Sequence, residues 1–268
     1  MKTNFISSSA NAVLKKIRGL QERSARQASN LFLLEGARAL EEAVARRFKL
    51  ERVVASQTFY KDEAGFVAKL NLAELSVVDD RTFKELHGTV GSCGIIAVAP
   101  TPRFVPQDIF KRKAPLVVVL DGVQDPGNLG TIIRSAAAAD AAGILLVGGC
   151  VDAYNPKVVR SAVGALFDMP LLQDLTAGQC LELLAAQQIK GWICDASGRT
   201  LYCEADLGGA TALVFGNEAS GISAEFRQCG YSSLSIPMRA GSESLNVGVS
   251  AGIILCESFR QRHHAFRV

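Results

Sequence analysis

The sequence predicts an α/β protein of two units, and the second unit is predicted to be built on a parallel β-sheet. Apolar runs rich in β-branched residues alternate with helical runs along the 268 residues, which indicates strands alternating with helices. Four of the eight prolines lie within residues 100–115, and such a concentration is typical of a linker. The run at 116–120 is continuously apolar, as expected for a strand buried on both faces.

We therefore divide the chain into a first unit at 1–100, a linker at 101–114 and a second unit at 115–268. The first unit is predicted to begin with a polar helical N-terminus and a basic amphipathic helix at 11–30. Its predicted strands lie at 31–36, 52–55, 75–80 and 93–100. The second unit contains about six β–α repeats, which predict a parallel sheet covered by helices on both faces.

The composition indicates a cytoplasmic protein. The apolar runs fall short of the roughly 20 residues that span a bilayer, and the N-terminus lacks the apolar region of a signal peptide. The seven cysteines are scattered without a C-x-x-C pair, which favours reduced thiols over a zinc site or a disulfide framework. We therefore expect no membrane segment, no metal and a cytoplasmic location.

Basic residues are concentrated in the first half of the chain. Residues 1–115 carry 19 Lys and Arg against 12 Asp and Glu, whereas residues 116–268 carry 10 against 14. We interpret the helix at 11–30 as a surface for the phosphates of a polyanion such as RNA. The alternative is an ordinary solvated face. The basic residues of this helix are Lys15, Lys16, Arg18, Arg23 and Arg26.

Several common chemistries lack their sequence signatures. The strand at 116–120 is not followed by G-x-G-x-x-G, and the chain has no G-x-x-x-x-G-K-[ST] motif, so dinucleotide and P-loop phosphate binding are not favoured. The three histidines, His87, His263 and His264, lie far along the chain from the polar loops of the second unit. A histidine general base is therefore not favoured either.

Polar loops follow three predicted strands of the second unit, at 121–128, after 215 and at 238–244. Ligands of open parallel sheets bind at the carboxyl ends of the strands, so these three loops are expected to form one pocket. Glycines in or beside the loops would allow a ligand to approach the backbone closely. They are Gly216, Gly221, Gly241 and Gly248.

The last helix is predicted at 245–262, with Ser244 as its N-cap. Ser244, Gly248, Gly252 and Cys256 recur every four residues and therefore share one face with almost no side chain. Glycine within a helix costs about 1 kcal/mol relative to alanine, so we expect another backbone or a ligand very close to this face. The remaining faces are mainly apolar, which predicts burial nearly all round.

Three segments resemble the motifs of the SpoU (TrmH-type) RNA ribose 2′-O-methyltransferases of the SPOUT superfamily, in the order of that family. They are DPGNLGTIIR at 125–134, FGNEASGIS at 215–223 and IPM followed by SLNV at 236–247. The phrase FLLEGARALEEA at 32–43 resembles the ribosomal-protein-like substrate-binding domain that precedes the catalytic domain in many of these enzymes. One departure is Gly248-Val249-Ser250, where the family commonly has Ser-Val-Ala.

The resemblance implies a fold, a cofactor and a set of site residues. The fold would be a parallel-sheet α/β-knot domain with a deep trefoil knot, preceded by a small α/β substrate-binding domain. The protein would be a homodimer that uses S-adenosylmethionine. The implied catalytic residues are Asn128, Arg134, Glu218, Ser244 and Asn246. The implied cofactor-binding residues are Gly216, Asn217, Gly221, Ile236, Met238 and Leu245.

Each polar site residue also has a structural interpretation from the sequence alone. Asn128 and Ser244 would be helix caps, and Glu218 would accept backbone N–H groups. Arg134 would be a surface residue or would pair with Asp140 or Glu218. The resemblance instead implies that Arg134 faces the substrate and helps to deprotonate the ribose 2′-hydroxyl. Since a guanidinium has a pKa above about 12, we favour a phosphate anchor that stabilises developing alkoxide charge.

These observations lead to a functional hypothesis with two alternatives. The first is an S-adenosylmethionine-dependent methyltransferase acting on a ribose 2′-hydroxyl of a structured RNA, with 23S-type ribosomal RNA favoured over transfer RNA. The second is a catalytically silent RNA-binding or ribosome-assembly protein on the same fold. The third is base methylation, which the first-motif arginine favours less because that residue suits a backbone hydroxyl.

Overall fold

The chain forms two compact units in a computed structural model that describes residues 2–86, 93–239 and 244–263. The first unit comprises Met1–Pro102 together with Tyr154–Phe167, and the second comprises Arg103–Ala153 and Asp168–Val268. The segment Tyr154–Phe167 therefore belongs to the first unit, although the sequence-based division places it within 115–268.

The first unit is built around a five-stranded sheet in the order β1-β4-β3-β5-β2. Pairing is parallel between β1 and β4 and between β4 and β3, and antiparallel where β5 joins β3 and β2. The elements in chain order are β1 (Lys2–Ile6), α1 (Ala12–Gly19), α2 (Arg23–Ser29), β2 (Leu31–Glu35), α3 (Ala37–Ala45), β3 (Arg52–Ser56), α4 (Gln57–Asp62), α5 (Ala64–Lys69), β4 (Glu74–Val78), α6 (Asp80–Lys84) and β5 (Ile95–Pro100).

The N-terminal part of this unit differs from the prediction in two places. The predicted polar helix is wrong at residues 2–6, which form strand β1 because their backbone pairs with the edge of β4. The single helix predicted at 11–30 is two helices, α1 and α2. The Arg26 guanidinium donates hydrogen bonds to the carbonyls of Leu20 and Gln21 at 2.8 and 2.7 Å, which satisfies backbone groups where the first helix ends.

The rest of the chain contains α7 (Pro106–Phe110), β6 (Leu116–Asp121), α8 (Pro126–Ala138), β7 (Gly143–Val147), α9 (Pro156–Ala162), α10 (Ala165–Asp168), β8 (Leu171–Leu175), α11 (Ala177–Ala186), β9 (Lys190–Cys194), β10 (Thr200–Leu201), β11 (Thr211–Gly216), α12 (Ala224–Gln228), β12 (Ser232–Ser235) and α13 (Val247–Arg262). The seven-stranded sheet of the second unit has the order β10-β12-β9-β11-β6-β7-β8. All of its pairs are parallel, so the predicted parallel sheet is confirmed.

The segment Tyr154–Phe167 packs on strand β2 of the first unit. The Phe32 and Tyr154 rings meet edge to face with centroids 5.2 Å apart. The Arg160 guanidinium forms an ion pair with the Glu35 carboxylate, whose side chain is almost fully buried. The sequence-based division did not predict this partner, because an apolar helix face does not specify which sheet covers it.

The predicted linker contains a short helix, α7. Pro106 occupies its first turn, and the Asp108 carboxylate accepts a hydrogen bond from the Val105 N–H at 2.8 Å. Ile109 is fully buried in the core of the second unit. This part of the linker is therefore structured, because one apolar side chain anchors it to the sheet domain.

Both predicted helix caps are wrong in position. Asp125, not Asn128, caps α8, because its carboxylate accepts the Asn128 N–H at 2.8 Å and Pro126 pre-sets the first turn. Asn246, not Ser244, caps α13, and its Oδ1 accepts the N–H groups of Gly248 and Val249 at 2.9 and 3.2 Å. Residues 240–243 of the loop before α13 lie outside the described residues, as does Gly241 with them.

The glycine face of α13 packs directly on α8. A Cβ atom at Gly248 would lie 3.3 Å from Thr131 Cγ2, and one at Gly252 would lie 3.7 Å from Ser135 Oγ. The expectation of a close neighbour at this face is confirmed, and that neighbour is helix α8, which meets the glycines through the Thr131 and Ser135 side chains. The predicted burial of the helix nearly all round is wrong for the single chain, because Val249 is 51% exposed and Cys256 is also exposed.

The two glycines of this face should respond oppositely to alanine. We expect Gly252→Ala to raise the apparent Tm, because its Cβ makes an ordinary contact and alanine gains up to about 1 kcal/mol of helix propensity. We expect Gly248→Ala to lower it, because the added Cβ would also lie 3.2 Å from the Asn246 Oδ1 that caps the helix. Thermal unfolding of both variants tests this, and an equal gain in both would contradict the packing.

Candidate active site

A cavity of about 420 Å³ opens at the carboxyl edge of the seven-stranded sheet. Its walls come from the segments that follow β9, β11 and β12 and from the first turns of α13. The predicted site residues among those that line it are Gly216, Asn217, Glu218, Gly221, Ile236, Met238, Ser244, Leu245 and Asn246. The second and third motifs therefore share one pocket, and all six predicted cofactor-binding residues lie at its wall.

Asn217 organises the loop of the second motif. Its Oδ1 accepts the N–H groups of Ala219 and Ser220, both at 2.9 Å, and its Nδ2 donates to the Gly122 carbonyl at 2.7 Å. Its backbone also exchanges two hydrogen bonds with Gly221 at 2.9 and 3.0 Å. Gly221 has a φ of +70°, so this tight loop requires glycine there.

The first motif reaches this pocket through a chain of hydrogen bonds. Asn246 Nδ2 donates to Asn128 Oδ1 at 2.9 Å, and Asn128 Nδ2 donates to Glu218 Oε1 at 2.8 Å. We call Asn246, Asn128 and Glu218 the amide relay. It joins one residue from each of the three motifs, although Asn128 does not itself line the cavity.

The helix cap determines the orientation of both amides in the relay. Asn246 Oδ1 accepts the first N–H groups of α13, so its Nδ2 must face Asn128. Asn128 must then present Oδ1 to Asn246 and Nδ2 to Glu218, which as a carboxylate can only accept. The cap and the relay are therefore one network.

Arg134 lies on the exposed side of α8 and does not line the cavity. Within residues 2–86, 93–239 and 244–263, its guanidinium has no hydrogen bond or ion pair. The interpretation of Arg134 as a partner of Asp140 or Glu218 is wrong. Asp140 instead pairs with Arg112 at 2.9 Å, and Glu218 accepts from Asn128. An exposed arginine without a partner is available to an anionic ligand.

The predicted RNA-contacting residues of the first unit differ in exposure. Lys15, Lys16 and Arg23 are exposed, and Lys16 lies 3.9 Å from the Glu51 carboxylate. Arg18 is half-buried and donates to the Ser9 carbonyl at 2.6 Å. Arg26 is only 3% exposed, and its guanidinium binds backbone carbonyls, so we remove it from the candidate RNA surface.

Sequence reasoning missed two charged residues beside the pocket. Asp195 follows β9 and lines the cavity, and Arg227 on α12 binds it at 2.8 Å. Hydrogen bonds from the Ser197 hydroxyl and N–H, together with that from Arg227, lower the pKa of the Asp195 carboxyl below its usual value. The available signal was the position of Asp195 at the end of a buried parallel strand.

The described residues contain no group of three or more His, Cys, Asp and Glu side chains that could hold a metal ion. The same part of the chain includes no helix long and apolar enough to cross a membrane. His263 ends α13 and stacks on Phe259 with ring centroids 4.0 Å apart, whereas His87 and His264 lie outside the described residues.

The pocket residues fit S-adenosylmethionine. The volume is typical of a small-molecule site, and Leu234, Ile236 and Ile254 supply apolar walls for a flat heterocycle. Glu218 is an exposed carboxylate among the lining residues, and it matches the positive charge of the sulfonium or of the amino group. The Asn217–Gly221 loop presents backbone groups rather than bulky side chains.

The chain is similar to known methyltransferases in sequence and in structure. The profile of the SpoU rRNA Methylase family matches residues 115–256, and that of the MRM3-like substrate binding domain matches residues 11–97. An uncharacterized tRNA/rRNA methyltransferase of Synechocystis sp. is 31% identical over 265 residues, covering 96% of this chain and 94% of that protein.

Two further relatives have more specific descriptions. The 23S rRNA (guanosine(2553)-2′-O)-methyltransferase RlmP of Bacillus subtilis is 30% identical over 251 residues, which cover 93% of this chain and 97% of that protein. The crystal structure of the SpoU methyltransferase AviRb from Streptomyces viridochromogenes in complex with AdoMet superposes with a TM-score of 0.86 at 28% identity. That match covers 94% of this chain and 98% of the other.

The fold, the pocket and these similarities define a class of protein, the S-adenosylmethionine-dependent RNA ribose 2′-O-methyltransferases with a SPOUT-type parallel sheet. The chain belongs to the SpoU rRNA methylase family, whose profile matches more than half of its length.

The amide relay predicts a pH-dependent effect of Asn128→Asp. The introduced aspartate carboxyl would lie beside the Glu218 carboxylate, and this like charge raises the pKa of the introduced carboxyl. The repulsion between the two carboxylates is fully present above that raised pKa. The repulsion is lost as the pH falls through the raised pKa, because the introduced carboxyl then becomes neutral. We expect Asn128→Asp to be less stable than Asn128→Ala at about pH 8, by about 1 kcal/mol or less because the site is exposed.

Thermal unfolding of the two variants from about pH 8 to about pH 5 measures this difference. The difference in stability between the two variants should become smaller towards low pH. Asn128→Ala serves as the control for loss of the amide. A gap that does not change with pH would show that position 128 does not face Glu218.

Proposed function

We propose that this protein transfers the methyl group of S-adenosylmethionine to a ribose 2′-hydroxyl of ribosomal RNA. The observation that carries the proposal is the amide relay, which gathers all three motifs at the rim of one pocket. Ribosomal RNA is supported by the Bacillus subtilis relative, which is described as acting on 23S rRNA.

The chemistry needs little more than alignment of the reacting atoms. S-adenosylmethionine supplies an activated methyl electrophile when it is bound. The protein must then hold the attacking 2′-oxygen in line with the methyl group. Such positioning can lower the activation free energy by up to about 10 kcal/mol. We assign this task to the relay, because its cap-determined orientation presents a fixed set of polar groups beside the pocket. Ser244, at the pocket wall before the cap, is assigned to the same polar rim.

Arg134 is proposed to bind the RNA phosphate next to the target ribose. Its exposed guanidinium has no partner in the described part of the chain, and its five donors suit phosphate oxygens. A guanidinium in this position stabilises negative charge on the 2′-oxygen without giving up a proton.

The first unit is proposed to bind the RNA around the target. Its match to a substrate-binding domain supports this role, and the exposed Lys15 and Lys16 on α1, with Arg23 on α2, supply positive charge. Residues 1–100 would thus hold the RNA, 101–114 would connect, and 115–268 would carry the chemistry. A cytoplasmic location is supported by the relative from Bacillus subtilis, which is a bacterial enzyme.

The second unit is proposed to form the trefoil knot of its family and to pair with a second copy. Contact between the last helix, α13, and the first long helix of the unit, α8, supports a threaded C-terminal segment. Val249, in the first turn of α13, is 51% exposed, and Leu245, just before the helix, is 39% exposed. Burial of these apolar side chains would favour a two-fold interface.

The decisive experiment is incubation of the protein with S-adenosylmethionine and unmodified ribosomal RNA. We expect 2′-O-methylated nucleotides, detected as dinucleotides that resist alkaline hydrolysis. Methyl groups found only on bases would refute the ribose assignment. Binding of RNA with no binding of S-adenosylmethionine at millimolar concentration would favour a silent RNA-binding protein.

Arg134 variants separate phosphate anchoring from proton removal. We expect Arg134→Ala to lower kcat/KM by about 100-fold, which corresponds to about 2.7 kcal/mol, a typical loss for one charge-stabilising donor. Arg134→Lys should recover part of this, because lysine still contacts phosphate as a point charge. An unchanged kcat/KM for RNA in Arg134→Ala would contradict both roles. Donor affinity, measured by calorimetry, should stay unchanged in both variants.

The proposed interface predicts a dimer that one charge disrupts. Sedimentation at micromolar concentration should give about 57 kDa, twice the 28.5 kDa of the chain. We expect Val249→Arg to shift the protein towards the monomer, because a buried unpaired charge is unfavourable. Leu201→Arg is the matched control, since Leu201 is an exposed apolar residue on β10. A monomeric wild type with full activity would refute the interface.

A further inference from the structure

Two loops that form the donor pocket are joined by a bridge outside the three motifs. Arg227 donates from Nε to the Ile222 carbonyl at 3.1 Å and from Nη2 to Asp195 Oδ2 at 2.8 Å. Asp195 Oδ1 in turn accepts the Ser197 N–H at 2.9 Å and the Ser197 hydroxyl at 2.6 Å. We call Asp195 and Arg227 the pocket bridge.

The pocket bridge connects two walls of the cavity. Asp195 belongs to the wall that follows β9, and Ile222 ends the wall that follows β11. Strands β9 and β11 are neighbours, with Cys194 opposite Phe215, but backbone pairing stops before these loops begin. Arg227 therefore links the two walls beyond the end of the sheet.

The chemistry of the bridge favours a role in positioning the two loops over a role in stabilising the fold. The Asp195 and Arg227 side chains are 19% and 48% exposed, and ion pairs with such exposure contribute about 1 kcal/mol or less. Arginine nevertheless holds a carboxylate and a carbonyl at once through its rigid planar fork. A fork that spans two loops restricts their separation, and preorganised walls reduce the entropy lost when a ligand binds.

We propose that Asp195 and Arg227 are positioning residues that hold the two walls of the pocket at the separation that S-adenosylmethionine requires. This inference rests on the proposed function, because it takes the pocket to be the donor site. Neither residue needs to touch the reacting atoms. The bridge acts through Ile222, a residue of the cavity wall whose carbonyl Arg227 binds.

Calorimetry with S-adenosylmethionine and the full-length protein tests the bridge. The variants are Arg227→Met, Arg227→Lys, Asp195→Asn and the double variant Asp195→Asn with Arg227→Met. The matched control is Arg112→Met, because Arg112 also joins an aspartate and a backbone carbonyl, at 2.9 and 2.7 Å on Asp140. Thermal unfolding and RNA binding are measured on every variant.

We expect Arg227→Met to weaken donor binding about tenfold, as the loss of a charged hydrogen bond would. The double variant should lose no more than about twofold beyond the stronger single variant, because both changes break one bridge. The donor affinity of Arg227→Lys should lie between those of Arg227→Met and the wild type, since lysine can satisfy only one of the two acceptors. In methylation assays the KM for the donor should rise, while kcat at saturating donor and the apparent Tm stay close to the wild type.

Four results would overturn the bridge. Three concern donor affinity: no change in Arg227→Met, an equal loss in Arg112→Met, and full recovery by Arg227→Lys. The fourth is a fall in kcat with an unchanged KM for the donor. If the wild type itself binds no S-adenosylmethionine, the proposed function fails instead, so the two failures are distinguishable.

Discussion

The close packing of α13 on α8 is the constraint on which the site depends. Gly248 and Gly252 face Thr131 and Ser135, and a Cβ at Gly248 would already lie 3.3 Å from the threonine methyl. Larger residues on this face would push the two helices apart. Since Asn246 caps one helix and Asn128 lies in the first turn of the other, the 2.9 Å hydrogen bond between them requires that close approach.

A site built in this way consists largely of backbone and amide groups with few alternative arrangements. The Asn217 side chain organises its loop, and the Asn246 cap orients the relay as far as Glu218. Oriented groups of this kind stabilise charge without reorganising during the reaction. This explains how a site without a histidine base or a metal cluster among the described residues can serve a methyl transfer, in which alignment is the main requirement.

The predictions of the two helix caps and of an exposed Arg26 were wrong because each depended on hydrogen bonds that local propensity does not determine. Ser244 and Asn128 have good capping side chains, but Asn246 and Asp125 take the caps because the helices begin at Val247 and Pro126. Arg26 reads as part of a basic stripe, but it is buried because it satisfies the carbonyls where α1 ends. In each case hydrogen bonds between a side chain and backbone groups decided the outcome, and periodicity carries no information about such bonds.

The sequence by itself determined the parallel sheet, the gathering of the motif loops at its carboxyl edge, and the need for a close neighbour at the Gly248 and Gly252 face. These features follow from the local pattern of apolar residues and from the positions of the glycines, both of which can be read along the chain. Only the tertiary structure decided that Asn128 joins Asn246 to Glu218, that Asp195 meets Arg227, and that Tyr154–Phe167 belongs to the first unit. Those features are contacts between residues distant in the chain, and their geometry exists only once the helices and sheets have packed.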